Sequence, residues 1–304
     1  MLPPSNRTLF KAAGHLLSYS GWVLAFRLLI YTLVTYFLMS SNSRFPDISE
    51  AYGAIELLMV GFGALLFVLL LKWLNPLTST TSDEIFTRFR FKKKFLPGFL
   101  SGGALAIGLT AALLMSGLYK YLGFFIQADE APLALASVLL RIVALGCLAY
   151  CEEFIFRQKI MNYMRPRLPD LAAAGISALA FAAVKSLQFD LGLSQLLTLL
   201  LVGLSVSIKT IGEGDFARGA GFWAGMLIIF HPILSLPVLG NEFQGLLLVR
   251  YQTGDESGTA RFISGGLGGP LASFSLQLIL LLDIGRGIYR NKKILLNPRP
   301  RRIK

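Results

Sequence analysis

Long, nearly charge-free runs constrain this chain more than any other feature. Reading for stretches of about 20 apolar residues, the length that crosses a bilayer as a helix, locates about eight, at 17–41, 54–74, 96–124, 132–164, 171–189, 191–209, 220–239 and 267–288. The pattern predicts an all-α, polytopic transmembrane bundle. Only 15% of the 304 residues are charged, against roughly a quarter in a soluble domain.

The formal net charge is +12, but the basic residues sit between apolar runs and form no patch beside a soluble fold, which argues against nucleic acid. They follow the loop asymmetry of membrane proteins instead, with Lys and Arg gathered on the cytoplasmic side. With the N-terminus inside, the inner segments hold Arg7 and Lys11, then Arg88, Arg90, Lys92, Lys93 and Lys94, then Lys159, Arg165 and Arg167, then Arg218, then the basic end. The outer loops hold only Arg44, Lys120, Arg250 and Arg261. Both termini are therefore expected in the cytoplasm of a plasma membrane, a bacterial inner membrane. The first apolar run continues without a small-residue cleavage site and reads as a retained span. Residues 1–288 read as one transmembrane domain, and 289–304 as a basic cytosolic tail lying against anionic headgroups. Cys147 and Cys151, one helical turn apart, are poor disulfide geometry and read as small buried groups.

Ionisable residues at membrane depth are costly and generally face a bundle interior or a water-filled cavity. Here they are Arg27, Arg141, Glu152, Glu153, Arg157, Lys185 and His231. Arg27 and Arg141 stand alone and suit snorkelling or structural pairing. In CEEFIFRQKIMNYM, Glu153 and Arg157 stand at i, i+4 with the acid N-terminal, the favourable order for an intrahelical ion pair. Glu152, rotated about 100° away, lacks that partner. Two adjacent carboxylates cannot both ionise cheaply at low dielectric, and a carboxylate so poised is what activation of a water requires. An ion-pair cluster that fixes helix packing accounts for the same residues, and both readings stand at this point.

E-E-x-x-x-R on a transmembrane helix resembles the first motif of the CAAX-protease and bacteriocin-processing family of intramembrane endopeptidases, which includes the Ras-converting prenyl endopeptidases. The family's second motif, F-x-x-x-H, falls on FAAVK, with Lys185 where histidine belongs. The third, histidine followed four residues later by Asn or Asp, falls on HPILS, with His231 in place and Ser235 where the amide or acid belongs. The resemblance covers about 138–239, including the small-residue segment around Gly203 and the aromatic lead FWAGMLIIF. It implies a cofactor-free carboxylate mechanism. Glu152 activates a water, Glu153 and Arg157 orient it, and the third-motif pair, His231 and Ser235, stabilises the oxyanion.

The departures change the expected chemistry. A lysine ammonium neither exchanges protons near neutrality nor binds metal unless burial lowers its pKa. Lys185 is therefore expected to pair with Glu152, or to act as a fixed electrophile toward the scissile carbonyl. A metal site is not expected, because His15 and His231 are the only histidines and one imidazole with two acids falls short of zinc practice. Helix rise places Glu152 roughly 18 Å, Lys185 roughly 21 Å and His231 roughly 16 Å from the inner ends of their spans, so the three are expected at one level. ISGGLGGP lacks the Lys-Ser/Thr of a phosphate loop and reads as re-entry into the last span. Gly98-x-x-x-Gly102 and Gly221-x-x-x-Gly225 permit close helix contact. Residues 240–262 read as a loop over the cavity.

The expected function is an intramembrane CAAX-protease-like endopeptidase acting on a peptide or protein at the membrane. Two rivals are a catalytically inactive protein of the same fold that binds and regulates a membrane or cell-envelope partner, and an ion-coupled transporter, whose paired repeats the sequence lacks.

Overall fold

The computed structural model describes residues 4–40, 48–74, 90–124, 131–252 and 258–296. Arg44, Arg88 and the end of the basic tail at 297–304 lie outside the described residues. The structure is an all-α polytopic membrane protein. Its helices are α1 (Pro4–Ser40), α2 (Ile48–Leu74), α3 (Arg90–Met115), α4 (Ala131–Glu153), α5 (Asp170–Gln188), α6 (Leu193–Glu213), α7 (Ala217–Ile228), α8 (Gly258–Ser264), α9 (Phe274–Arg290) and α10 (Lys292–Leu296). Five segments are long and apolar enough to cross a bilayer: Ala13–Leu33, Lys93–Met115, Ala134–Met164, Asp170–Gln188 and Leu193–Glu213. The other three apolar runs are helical too, in α2, α7 and α9.

Three of the expected spans end differently. The run 96–124 does not stay helical, because α3 stops at Met115 and the chain reverses through Gly117, whose φ is 75°. Glycine adopts that left-handed conformation without a Cβ clash. Tyr119–Phe124 then forms β1, which pairs antiparallel with β2, Leu247–Tyr251. Tyr119 is buried and donates to the Ser264 carbonyl at 2.9 Å, and burial pushes its hydroxyl pKa up. In the run 220–239 the helix ends at Ile233, beyond which Ser235 and Leu239 have positive φ. The run 267–288 starts late: two short 3-10 turns built on Gly265, Gly266 and Gly269, all at positive φ, lead into α9 at Phe274. The glycine-rich stretch is thus a tight turn into the last helix.

The two Gly-x-x-x-Gly pairs meet within the chain. A Cβ at Gly98 or Gly102 would strike the carbonyl of Arg218 or Phe222, and one at Gly221 or Gly225 that of Phe95 or Phe99. α3 and α7 therefore run parallel, backbone against backbone, as small residues allow in membrane interiors. Gly102→Leu is expected to lower stability by about 1–3 kcal/mol or more, because the obstacle is main chain and cannot rotate away. Gly175→Ala, whose Cβ meets nothing within 4 Å, is expected to be neutral or slightly stabilising. Thermal unfolding of the two variants in detergent checks the contrast.

The N-terminal ends of α3 and α7 and the C-terminal ends of α6 and α9 share one end of the bundle. Lys94 donates to the Glu213 carbonyl at 3.1 Å and pairs with Asp215 at 3.6 Å, while Gly212 abuts Asn291. These are the ends that the loop charges assign to the cytoplasm.

α4 does not finish as a regular helix. Immediately after Glu153 it widens into an eight-residue π-helical stretch, Phe154–Met161, before a last turn at Asn162–Met164. A second π-helical turn, Ile229–Ile233, extends α7. Such turns shift the hydrogen-bond ladder by one residue and recur at functional sites. Ser177 of α5 donates to the Phe156 carbonyl at 2.8 Å.

Candidate functional site

Glu152 and Glu153 lie at the point where α4 turns from α to π, and the two carboxylates take different partners. Glu153 Oε1 binds Arg157 Nη1 at 3.0 Å, the i, i+4 pair expected from the spacing. Arg157 also reaches α6, donating through Nη2 to the Gly203 carbonyl at 2.9 Å and through Nε to Ser207 Oγ at 3.3 Å. Gly203 is small enough for the guanidinium to pass, since a Cβ there would lie 3.1 Å from Nη2. One side chain thus ties the π-helical stretch of α4 to α6.

Glu152 faces the other way. Its Oε1 forms an ion pair with Lys185 Nζ of α5, and its Oε2 accepts from the Trp223 indole of α7 at 3.0 Å. Lys185 sits between the rings of Phe181 and Phe189, at 5.9 and 5.1 Å from their centroids. Phe181 meets Trp223 edge-on and carries the Arg157 guanidinium 4.9 Å from its centroid. Two anions and two cations from α4 and α5 therefore form a neutral box around one aromatic ring. All four side chains are at most 1% exposed.

The expected common level holds for Glu152 and Lys185 but not for His231. Trp223 takes the position on α7 opposite Glu152, and His231 lies eight residues further along, about 12 Å of helical rise. Arg141, eleven residues before Glu152 on the antiparallel α4, lies on that second level with it. Its guanidinium stacks 3.8 Å over the Phe243 ring, which packs at 5.6 Å against the His231 imidazole. The imidazole is fully buried beside the Leu236 backbone, and among the described residues neither ring nitrogen makes a hydrogen bond of ordinary geometry.

Ser235 has another task. Its hydroxyl donates to the Leu247 carbonyl at 2.8 Å and accepts from the Gly245 amide at 2.7 Å. The proton expected for an oxyanion instead pins the chain leading into β2 across the end of α7. Of the segment expected as a loop, Phe243 packs against His231 and Val249 of β2 donates to the Leu234 carbonyl at 3.3 Å, while 253–257 lie outside the described residues. Arg27 pairs structurally, with Glu56 at 3.6 Å and the Leu187 carbonyl at 3.2 Å. Cys147 and Cys151 are free thiols.

Trp223, Arg141 and Phe243 were not identified as site residues from the sequence. Trp223 stood in the aromatic lead before His231, and its register with Glu152, 71 residues away, becomes visible only once α4 and α7 pack. No group of three or more His, Cys, Asp or Glu side chains among the described residues could hold a metal ion.

Chemically, a general base must come within about 2.6–3.2 Å of the proton it takes. Glu152 has both oxygens engaged and 0% exposure. To accept a proton from water, this carboxylate must first become accessible to water, and Lys185 and Trp223 are two of the groups that cover it.

Apolar spans enclosing a neutral box of buried carboxylates and cations define the class: a polytopic helical membrane protein with an ionic cluster in its interior. Residues 132–230 match the family model described as type II CAAX prenyl endopeptidase Rce1-like. The match takes in both glutamates, Arg157, Lys185 and Trp223, and stops one residue before His231. No curated protein and no solved structure matches the chain.

Proposed function

We propose that this chain is a non-hydrolytic membrane protein of CAAX-protease-like fold, which binds a membrane-borne peptide or protein and regulates it without cutting it. One observation carries the reading: Lys185 occupies the carboxylate that would otherwise activate water. Trp223 holds the other oxygen, and the Ser235 hydroxyl is committed to the backbone around β2. The family description, prenyl endopeptidase, supports a peptide at the membrane as the class of ligand. The β1–β2 ribbon offers it a surface, with Tyr121, Leu122 and Phe124 exposed.

A second reading, hydrolysis, draws support from the matched family model, whose description is an endopeptidase. In that reading the Lys185 pair opens when a substrate enters.

The two readings separate on turnover. Purified chain in liposomes is given a library of transmembrane and prenylated peptides, and products are read by mass spectrometry. Wild type and Glu152→Gln are both expected to release no fragment. Cleavage by wild type that disappears in Glu152→Gln overturns the proposal and establishes the endopeptidase. Cleavage by Lys185→His alone identifies the lysine as the lock.

A further inference from the structure

Away from the buried box, α3, α6, α7 and α9 enclose a cleft of about 810 Å³, within the range of roughly 300–1,000 Å³ that small-molecule sites occupy. α6 and α7 form its back wall. α3 and α9 flank its mouth, and exposed Gly108 and Leu282 on these helices place the opening on the outer face of the bundle.

The lining is graded. Leu105 and Leu109 of α3 and Ile279 and Leu282 of α9 make the part of the cleft farther from the charged end of the bundle apolar. Gly108 leaves a gap there, because a Cβ would meet nothing within 4 Å. Toward the end of the bundle that the loop charges assign to the cytosol, the lining becomes ionic. Its two acids already have cations within the cleft, Asp283 with Lys209 and Glu213 with Arg218. Arg286 and Arg290, one turn apart on α9 and both exposed, line the same cleft. They leave it with an excess of two positive charges. From Ile279 to Arg290 the gradient runs about 16 Å along the helix.

We propose that this cleft is a binding site for one anionic glycerophospholipid, with its phosphate between Arg286 and Arg290 and one acyl chain lying between α3 and α9. The apolar part selects a lipid over a free anion, and the surplus arginines select an anionic headgroup over a zwitterionic one. The site is independent of whether Glu152 performs chemistry.

Native mass spectrometry of the full chain in mixed micelles tests it, with dioleoylphosphatidylglycerol, dioleoylphosphatidylcholine or inorganic phosphate added in turn. One phosphatidylglycerol is expected to be retained in preference to phosphatidylcholine. The Arg286→Ala/Arg290→Ala variant, altered only at exposed positions, is expected to weaken that retention about tenfold or more. Gly108→Leu, which fills the apolar part, is expected to reduce retention of both lipids. Equal retention of the two lipids, phosphate binding as tightly as phosphatidylglycerol, or retention unchanged in the arginine variant would each overturn the proposal.

Discussion

Lys185→Met is expected to lower stability by about 3–5 kcal/mol, the cost of breaking a buried ion pair from one side. The substitution roughly keeps the volume of the side chain but leaves the Glu152 carboxylate charged and fully buried, with the Trp223 indole as its hydrogen-bond donor among the described residues. Adding Glu152→Gln to it is expected to recover most of that loss. The double variant buries no net charge, the glutamine carbonyl can still accept from Trp223, and replacing a buried pair with neutral groups of similar volume is often close to neutral. Thermal unfolding of wild type, both single variants and the double variant in one detergent gives the coupling energy directly. If the losses of the single variants simply add, the contact between Glu152 and Lys185 carries no structural weight, and the lock proposed for the carboxylate falls with it.

Arg157→Met is expected to cost a similar amount, about 3–5 kcal/mol, but neutralising its partner should rescue it less well. Arg157 holds Glu153 and also donates to the Gly203 carbonyl and to Ser207. Glu153→Gln/Arg157→Met removes the uncompensated charge yet still loses the two bonds to α6, at about 1.5–3 kcal/mol for a bond from a charged donor, although the Gly203 carbonyl keeps the Ser207 hydroxyl as a donor at 2.8 Å. Arg157→Lys is expected to fall short as well, since an ammonium is a compact point charge without the planar fork that spans an acid and a carbonyl. The same unfolding measurement distinguishes the two pairs. Full recovery in the Glu153→Gln/Arg157→Met variant would mean that the bonds to α6 contribute nothing.

Local relations were legible because helix geometry is local. The period of 3.6 residues set Glu153 against Arg157, and the depth of a lysine within an apolar run made a carboxylate its natural partner. The two glycine pairs were visible as spacings, but not that they meet each other: the sequence shows that a backbone can be approached and says nothing of what approaches. The end of α3 departs from the apolar run for a comparable reason. YKYLGF is apolar enough to prolong a span, and only its pairing with Leu247–Tyr251, more than 120 residues away, makes it a strand.

His231 and Ser235 mark the limit most clearly. Counting rise along separate helices placed His231 beside Glu152, but the count assumes equal starting levels and no register shift between helices. The close contact between α3 and α7 and the π-helical turns at Phe154–Met161 and Ile229–Ile233 alter both. Trp223 consequently meets Glu152 and His231 meets Phe243. The sequence by itself determined an all-α membrane bundle, the Glu153–Arg157 pair and the presence of a lysine where a histidine would serve catalysis, because transfer energy and helical period act on neighbours along the chain. Only the tertiary structure decided that Lys185 and Trp223 together close the Glu152 carboxylate and that Ser235 serves β2, because those contacts depend on how distant helices rotate and slide to fill one another's surfaces.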